Sequence, residues 1–386
     1  MTMDRCDVLI VGGGPGGSSC ARALVRAGLD AVVLDRRSFP RDKVCAGWIT
    51  PPVLECLEVD PAEYARQGVL QPVHGFAVSR LGEPAARVDY GSAVSYGIRR
   101  CELDHFLLAR AGARLRLGEP LRSLRREGSR WIANDAVEAP ILVGAGGHFC
   151  PVAQQLGCAT GPPAPVVAAQ EIEVRLAPEA LEKLELDAAL PELFFEPDLA
   201  GYGWVVRKGD WLNVGLGRQG PRGDTGERSE ARGLAAYVAR FLARMRSERK
   251  VPAVLETRFR GHAYLLHGQA ERPLAGDGVV LVGDAEGLAY PRSGEGIRPA
   301  VESGLLAART IADAGGDPAR LAPYAERIEA RFGPRAPRPT ADPSAWLPPA
   351  WRRTLAGRLL GTPAFARRIV LDRWFLHRDT PALAPV

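Results

Sequence analysis

The chain has 386 residues, 46% hydrophobic and 25% charged, with 50 lysines and arginines against 45 aspartates and glutamates. This is the balance of a soluble globular protein with a sizeable core. The small positive excess is scattered arginine rather than a block, which speaks against a nucleic-acid track and fits an anionic cofactor or substrate.

No apolar segment approaches the roughly 18 to 20 residues needed to cross a bilayer, which leaves only peripheral membrane contact open. The seven cysteines, Cys6, Cys20, Cys45, Cys56, Cys101, Cys150 and Cys158, show no CxxC pair and no zinc spacing. They read as reduced thiols of a cytoplasmic protein without a metal site. The abundance of Ala, Arg, Gly and Pro is that of a GC-rich bacterial genome.

The first element is a short apolar strand, Val8 to Val11, which meets glycine at once and therefore reads as a strand and not as a leader. A glycine turn, a helix over about Pro15 to Ala27 and a second strand, AVVLD, ending at Asp35 complete a βαβ start with a parallel sheet. CELDHFLLARAG, Cys101 to Gly112, predicts a helix, and PILVGAGG, Pro140 to Gly147, another buried strand. Strand-like alternation fills HGFAVSRL at 74–81, VVAAQEIEVRL at 166–176 and GYGWVVRKGDWLNVGLG at 201–217. Gly283 to Arg309 returns to strand, loop and helix, and a Pro-rich stretch at 331–351 leads into a C-terminal helical tail.

The predicted organisation is α/β with an α+β insert. A discontinuous Rossmann-like nucleotide-binding domain takes residues 1–65, 98–160 and 268–315. A mostly antiparallel β-sheet substrate domain takes 66–97 and 161–267, and the helical region takes 316–386.

Gly12-Gly13-Gly14-Pro15-Gly16-Gly17 contains G-x-G-x-x-G between a strand and a helix, and Asp35 follows at the distance ribose recognition requires. Gly12 permits the turn, Gly14 lets backbone approach a pyrophosphate, Gly17 allows close helix packing, and the helix N-terminus attracts phosphate. This motif alone does not separate FAD from NAD. Arg100 before a helix, the glycines of LVGAGG, and GD at Gly283 and Asp284 would all have to return to one extended ligand, and a flavin dinucleotide is long enough to use them.

GGGPGGSSCARALVRAG, the FPRDKVCAG loop, RRCELD, VGAGG, GYGWVVRKGDWLNVGLG and GDAEGLAYPRSGEGIRPAVESG together resemble the FAD-dependent para-hydroxybenzoate hydroxylase superfamily, and within it the geranylgeranyl reductase branch, over most of the chain. The resemblance implies FAD contacts from Gly12, Gly14, Pro15, Gly16, Gly17, Asp35, Arg36, Arg41, Cys45, Ala46, Arg100, Leu121, Gly283, Asp284, Gly294, Gly296 and Ile297. Asp35 would take the adenosine ribose, Arg41 and Arg100 the polar edge of the cofactor, and Leu121 would make a backbone contact to the adenine. It also implies that Cys45 faces the flavin with a redox or proton-transfer role; the alternative is a small packing residue.

Trp48, Tyr202, Trp204 and Pro291 are the expected pocket wall, though Tyr202 and Trp204 also fit alternating core positions of a strand. Val206 and Arg207 stand where the reductases carry Phe-Pro, and Arg207 also departs from the proline of flavin halogenases, which resemble the chain here too. His148, His262 and His267 are either proton donors or satisfied structural histidines.

What the resemblance implies is an FAD-dependent oxidoreductase acting on a hydrophobic small molecule or lipid, with C=C reduction favoured over hydroxylation and halogenation of an aromatic or polyketide-type substrate. A second nucleotide motif is missing, so NAD(P)H bound transiently, a ferredoxin or a flavin reductase would supply electrons. In the tail, Trp351, Leu355 and Leu359 share one helical face with Arg352, Arg353 and Arg358 largely elsewhere, which fits either a helix packed over the cavity or one lying on an anionic membrane.

Overall fold

A computed structural model describes residues 3–157, 166–220, 227–255, 258–269, 272, 275–335 and 357–384. Its centre is a six-stranded sheet in the order Ala275–Gly276, Val279–Leu281, Ile141–Gly144, Val8–Val11, Ala31–Asp35, Arg114–Leu117, parallel but for the first pair. The strands are apolar runs because both faces are covered. Val8, Ile10 and Val33 pack toward helices Pro15–Arg26, Arg100–Ala109 and Ile297–Asp313, whereas Leu9, Val11, Val32 and Leu34 pack toward Trp131, Ala133 and Val137 of a four-stranded sheet.

Helices Pro15–Arg26 and Ile297–Asp313 cross closely because glycines meet there. A Cβ added to Gly304 would collide with the carbonyl of Gly16. That crossing sets the two helix N-termini side by side at the ends of the central strands.

The second large element is a seven-stranded sheet, ordered Arg260–Leu265, Val166–Arg175, Trp211–Gln219, Gly201–Lys208, Glu192–Phe195, Gly75–Arg80, Ala86–Asp89. It is antiparallel except where Glu192–Phe195 meets Gly75–Arg80. On one face Ile172, Phe194, Val205 and Val214 pack against Val238, Phe241 and Met245 of helix Glu227–Ser247. The opposite face carries Phe76, Val78, Leu193, Phe195 and Trp204, and meets Val370, Leu371 and Phe375 from the C-terminal segment.

Of the residues named for the expected amphipathic helix, only Arg358 and Leu359 fall within the described part of that segment. Among its described residues, Ala366–Phe375 winds as a π-helix, and Trp351, Arg352, Arg353 and Leu355 lie outside the described residues. Its end is strapped to the core: Arg298 Nη2 donates to Thr380 O (2.7 Å) and Pro381 O (2.9 Å), and Leu383 N–H points to Cys56 Sγ at 3.1 Å.

Candidate functional site

Where the two sheets face each other, a cavity of about 310 Å³ runs from the glycine turn to the second sheet. At its inner end Gly12 has φ +115°, which a side-chain-bearing residue rarely adopts, and a Cβ there would strike the carbonyl of Ala145. Asp35 is fixed by its own backbone neighbours, accepting from Gly13 N (2.7 Å) and Arg37 N (2.8 Å). Helix Pro15–Arg26 begins at Gly14 with neither a side-chain cap nor an acid in its first turn, so its N–H groups are left for an anion.

Arg41 closes this end. Its Nη1 lies 3.1 Å from Asp104 Oδ2, and that buried Nη1 makes no hydrogen bond. Arg100 makes a two-point pair with the same Asp104, at 2.9 and 3.0 Å. An uncapped helix start, a glycine cradle and a guanidinium nitrogen with no hydrogen bond of its own are what a dinucleotide diphosphate needs, so these residues fit FAD.

Further along the cavity, Lys43 Nζ lies 2.7 Å from His262 Nε2, which is itself 3.7 Å from Asp284 Oδ2. Burial lowers the Lys43 amine to about 8 and, with the Lys43 charge, lowers His262. Burial alone would raise Asp284; the His262 hydrogen bond and the Lys43 charge outweigh it and hold the carboxyl below its ordinary range.

The outer end is built around the loop that carries Cys45, Ala46 and Trp48, all of which line the cavity. Asn213 Nδ2 donates to Cys45 O (3.1 Å), and Trp204 Nε1 donates to Asn213 Oδ1 (2.7 Å). Lys208, fully buried, donates to Ile98 O (2.9 Å) and Glu173 Oε1 (2.7 Å). Trp48 packs against Phe76 and Phe375, with ring centroids 6.0 and 5.9 Å away.

Beyond this end lies a second cavity of about 590 Å³. Tyr202, Tyr264, Ser293 and Gly294 line both cavities and so form the partition between them. The rest of the wall is largely apolar: Val167, Phe195, Leu199, Leu266 and Pro291, closed by Leu359, Leu360, Phe365 and Trp374 of the C-terminal segment, with Arg218, Gln219 and Arg292 as its polar members.

The structure thus brings Gly12, Gly14, Pro15, Gly16, Asp35, Arg36, Arg41, Cys45, Ala46, Trp48, Arg100, Tyr202, Trp204, Gly283, Asp284, Gly294, Gly296 and Ile297 to one cavity. Gly17 stands behind it, where a Cβ would collide with the carbonyl of Gly12. Pro291 lines only the second cavity. Leu121 lines neither; it packs at the edge of the cluster formed by Leu34, Trp131 and Ala133.

His262 enters the cavity, while His267 Nε2 is taken up 3.1 Å from Gly333 O and His148 Nδ1 is buried without a partner. Lys43, Tyr264, Asn213 and Glu171 escaped the sequence reading. The one available signal was the pair of glutamates, Glu171 and Glu173, on one face of an otherwise apolar strand.

Residues 5–331 match the family model described as an FAD binding domain. A digeranylgeranylglycerophospholipid reductase of Methanothrix thermoacetophila is 32% identical over 326 residues, 80% of this chain and 78% of that protein. A menaquinone reductase of Mycobacterium tuberculosis is 30% identical over 330 residues, 80% of this chain and 77% of its own. Among solved structures, a geranylgeranyl bacteriochlorophyll reductase-like protein from Thermoplasma acidophilum superimposes with a TM-score of 0.73 at 21% identity, covering 100% of this chain and 94% of the other, and shares the fold.

Proposed function

The chain belongs to the FAD binding domain family, and we propose that it is a reductase of carbon–carbon double bonds in a polyprenyl lipid. The observation that carries this reading is the apolar cavity of about 590 Å³ set directly behind the Tyr202–Tyr264 partition of the cofactor cavity. A chamber so lined accepts hydrocarbon and offers an aromatic substrate few polar anchors. The two relatives named as reductases of a digeranylgeranyl lipid and of menaquinone support the same substrate class.

The uncapped N-terminus of helix Pro15–Arg26, Arg41 and Asp35 would hold the diphosphate and ribose of FAD, and Asp284 with the Gly296 turn the other half. FAD, once reduced by an external donor, supplies hydride to one alkene carbon. The second alkene carbon needs a proton, and Cys45 is the residue assigned to hold it: burial raises its thiol pKa, so Sγ keeps its hydrogen at neutral pH. Trp48, Trp204 and the tyrosine partition exclude water from that end.

The roof of the apolar chamber is basic. Residues 357–386 carry five arginines against two aspartates, and Arg358, Arg367, Arg368, Arg373 and Arg378 are exposed. Such a surface favours peripheral contact with an anionic membrane, from which a lipid chain enters. Among the described residues no helix is long and apolar enough to cross one.

The test is anaerobic. FAD-loaded protein reduced chemically under argon and mixed with a geranylgeranyl lipid is expected to yield the saturated chain in proportion to flavin oxidised. Oxygen-dependent insertion of an oxygen atom into the substrate, without saturation, overturns the proposal.

A further inference from the structure

Cys45 is held through its backbone. Its carbonyl accepts from Asn213 Nδ2 at 3.1 Å, and its amide favours the ionised form of the Glu171 carboxylate. Asn213 ties the two together, since its Nδ2 also lies 3.1 Å from Glu171 Oε2. The amide cannot turn round, because the indole N–H of Trp204 fixes its oxygen, and Trp204 in turn lies flat over Gly215, where a Cβ would enter the ring.

The charged groups around Glu171 each have another partner. Glu173, two residues along the same strand face, is taken by Lys208 (2.7 Å) and Arg99 (3.3 Å). Arg260, opposite Glu171 on the neighbouring strand, pairs with Asp42, and Arg100, which acts on the Cys45 thiol, pairs with Asp104. Among the described residues no cation lies within 4.0 Å of the Glu171 carboxylate. It is 6% exposed, and its neutral partners are the backbone amide of Cys45 and the side-chain amide of Asn213.

We propose that Glu171 is the positioning residue for Cys45: with Asn213 it fixes the loop that presents the thiol to the cavity, where its charge acts on the thiol against that of Arg100. This deepens the assignment of the proton to Cys45 and rests on that reading for its meaning. Burial pushes the Glu171 carboxyl up to about 7, so near neutral pH it ionises before the thiol does. At the thiol, burial raises the pKa, Arg100, the Gly47 N–H at 3.4 Å from Sγ and Lys208 oppose, and Glu171 adds to the rise. Two groups so placed titrate as a pair.

The experiment follows the Cys45 thiolate by its ultraviolet absorbance in FAD-loaded protein, as the difference between wild type and Cys45→Ser across pH. Glu171→Gln is expected to lower the thiolate midpoint, giving about tenfold more thiolate at a given pH, and Glu171→Asp to restore it. A Glu171→Gln midpoint equal to that of wild type overturns the proposal.

Should Glu171→Gln fail to retain FAD, the wild type decides by itself. The logarithm of the iodoacetamide alkylation rate at the Cys45 peptide should flatten above about pH 7, where Glu171 ionises, before rising again. One unbroken one-proton slope overturns the proposal. Neither measurement uses alkene turnover, so loss of the reductase reading and loss of this one are separate results.

Discussion

Glu295, between Gly294 and Gly296, shows how the site strains a single residue. Its Oε1 accepts from Arg298 N (2.8 Å) at the start of helix Ile297–Asp313, whereas its Oε2 is buried with no partner. Burial pushes the carboxyl up to about 7 from its ordinary 4.5. A carboxyl raised in the folded state contributes stability that is fully present below its unfolded pKa and is lost as pH rises through the folded one. Glu295→Gln cannot ionise, so its thermal stability relative to wild type should improve between about pH 5 and about pH 8, by up to about 3 kcal/mol. A difference in Tm that does not change with pH would show that the carboxyl ionises as freely as it does in water. At this scale the legible residues were those whose task is local: Gly12 at its turn, Asp35 beside that turn, Asp284 after its strand. Lys43, which meets His262 from 219 positions away, was not, because only the meeting of the two sheets makes them neighbours. Leu121 lines neither cavity: an apolar residue in the loop before Leu124–Glu127 finds apolar company whether or not a ligand lies near.

Among elements, the crossing of helices Pro15–Arg26 and Ile297–Asp313 matters most, since both N-termini point into the cofactor cavity. Gly304 makes the crossing close, and its obstacle is backbone, the Gly16 carbonyl, which cannot rotate away. Gly304→Ala should therefore wedge the helices apart, costing about 1–3 kcal/mol in denaturant unfolding. It should also weaken FAD binding, because the Gly14 turn moves with its helix; an unchanged Kd for FAD would separate packing from the site. Strands and helices were legible wherever burial left a continuous apolar run or a recurring apolar position, as in Val8–Val11 and in the hairpin of Gly201–Lys208 with Trp211–Gln219. The winding of Ala366–Phe375 was not. The wider π turn there points Val370, Leu371 and Phe375 at the second sheet, a demand set by a partner distant in sequence.

At the scale of the molecule, the C-terminal segment joins three tasks. It closes the apolar chamber with Phe365 and Trp374, it buries Phe375 against Tyr202 and Trp48, and its arginines face outward. It is held at both ends of its described course, by the second sheet and by the Arg298 strap to Thr380 and Pro381, so its charged side is presented on a fixed surface. On the proposed reading, a lipid substrate would leave a bilayer to reach the chamber, and a basic roof would shorten that path by holding the opening near anionic headgroups. Arg358, Arg368 and Arg373 are exposed, so replacing all three with Gln should leave the chamber wall intact. Each basic residue near an anionic membrane contributes about 1 kcal/mol, so the triple variant should bind phosphatidylglycerol vesicles roughly a hundredfold more weakly at low salt. Binding of wild type to phosphatidylcholine vesicles should already be weak, and added salt should erase the difference between the proteins. If the triple variant sediments with anionic vesicles as wild type does, the arginines serve solubility, and the lipid must reach the Trp374 side of the chamber by another face.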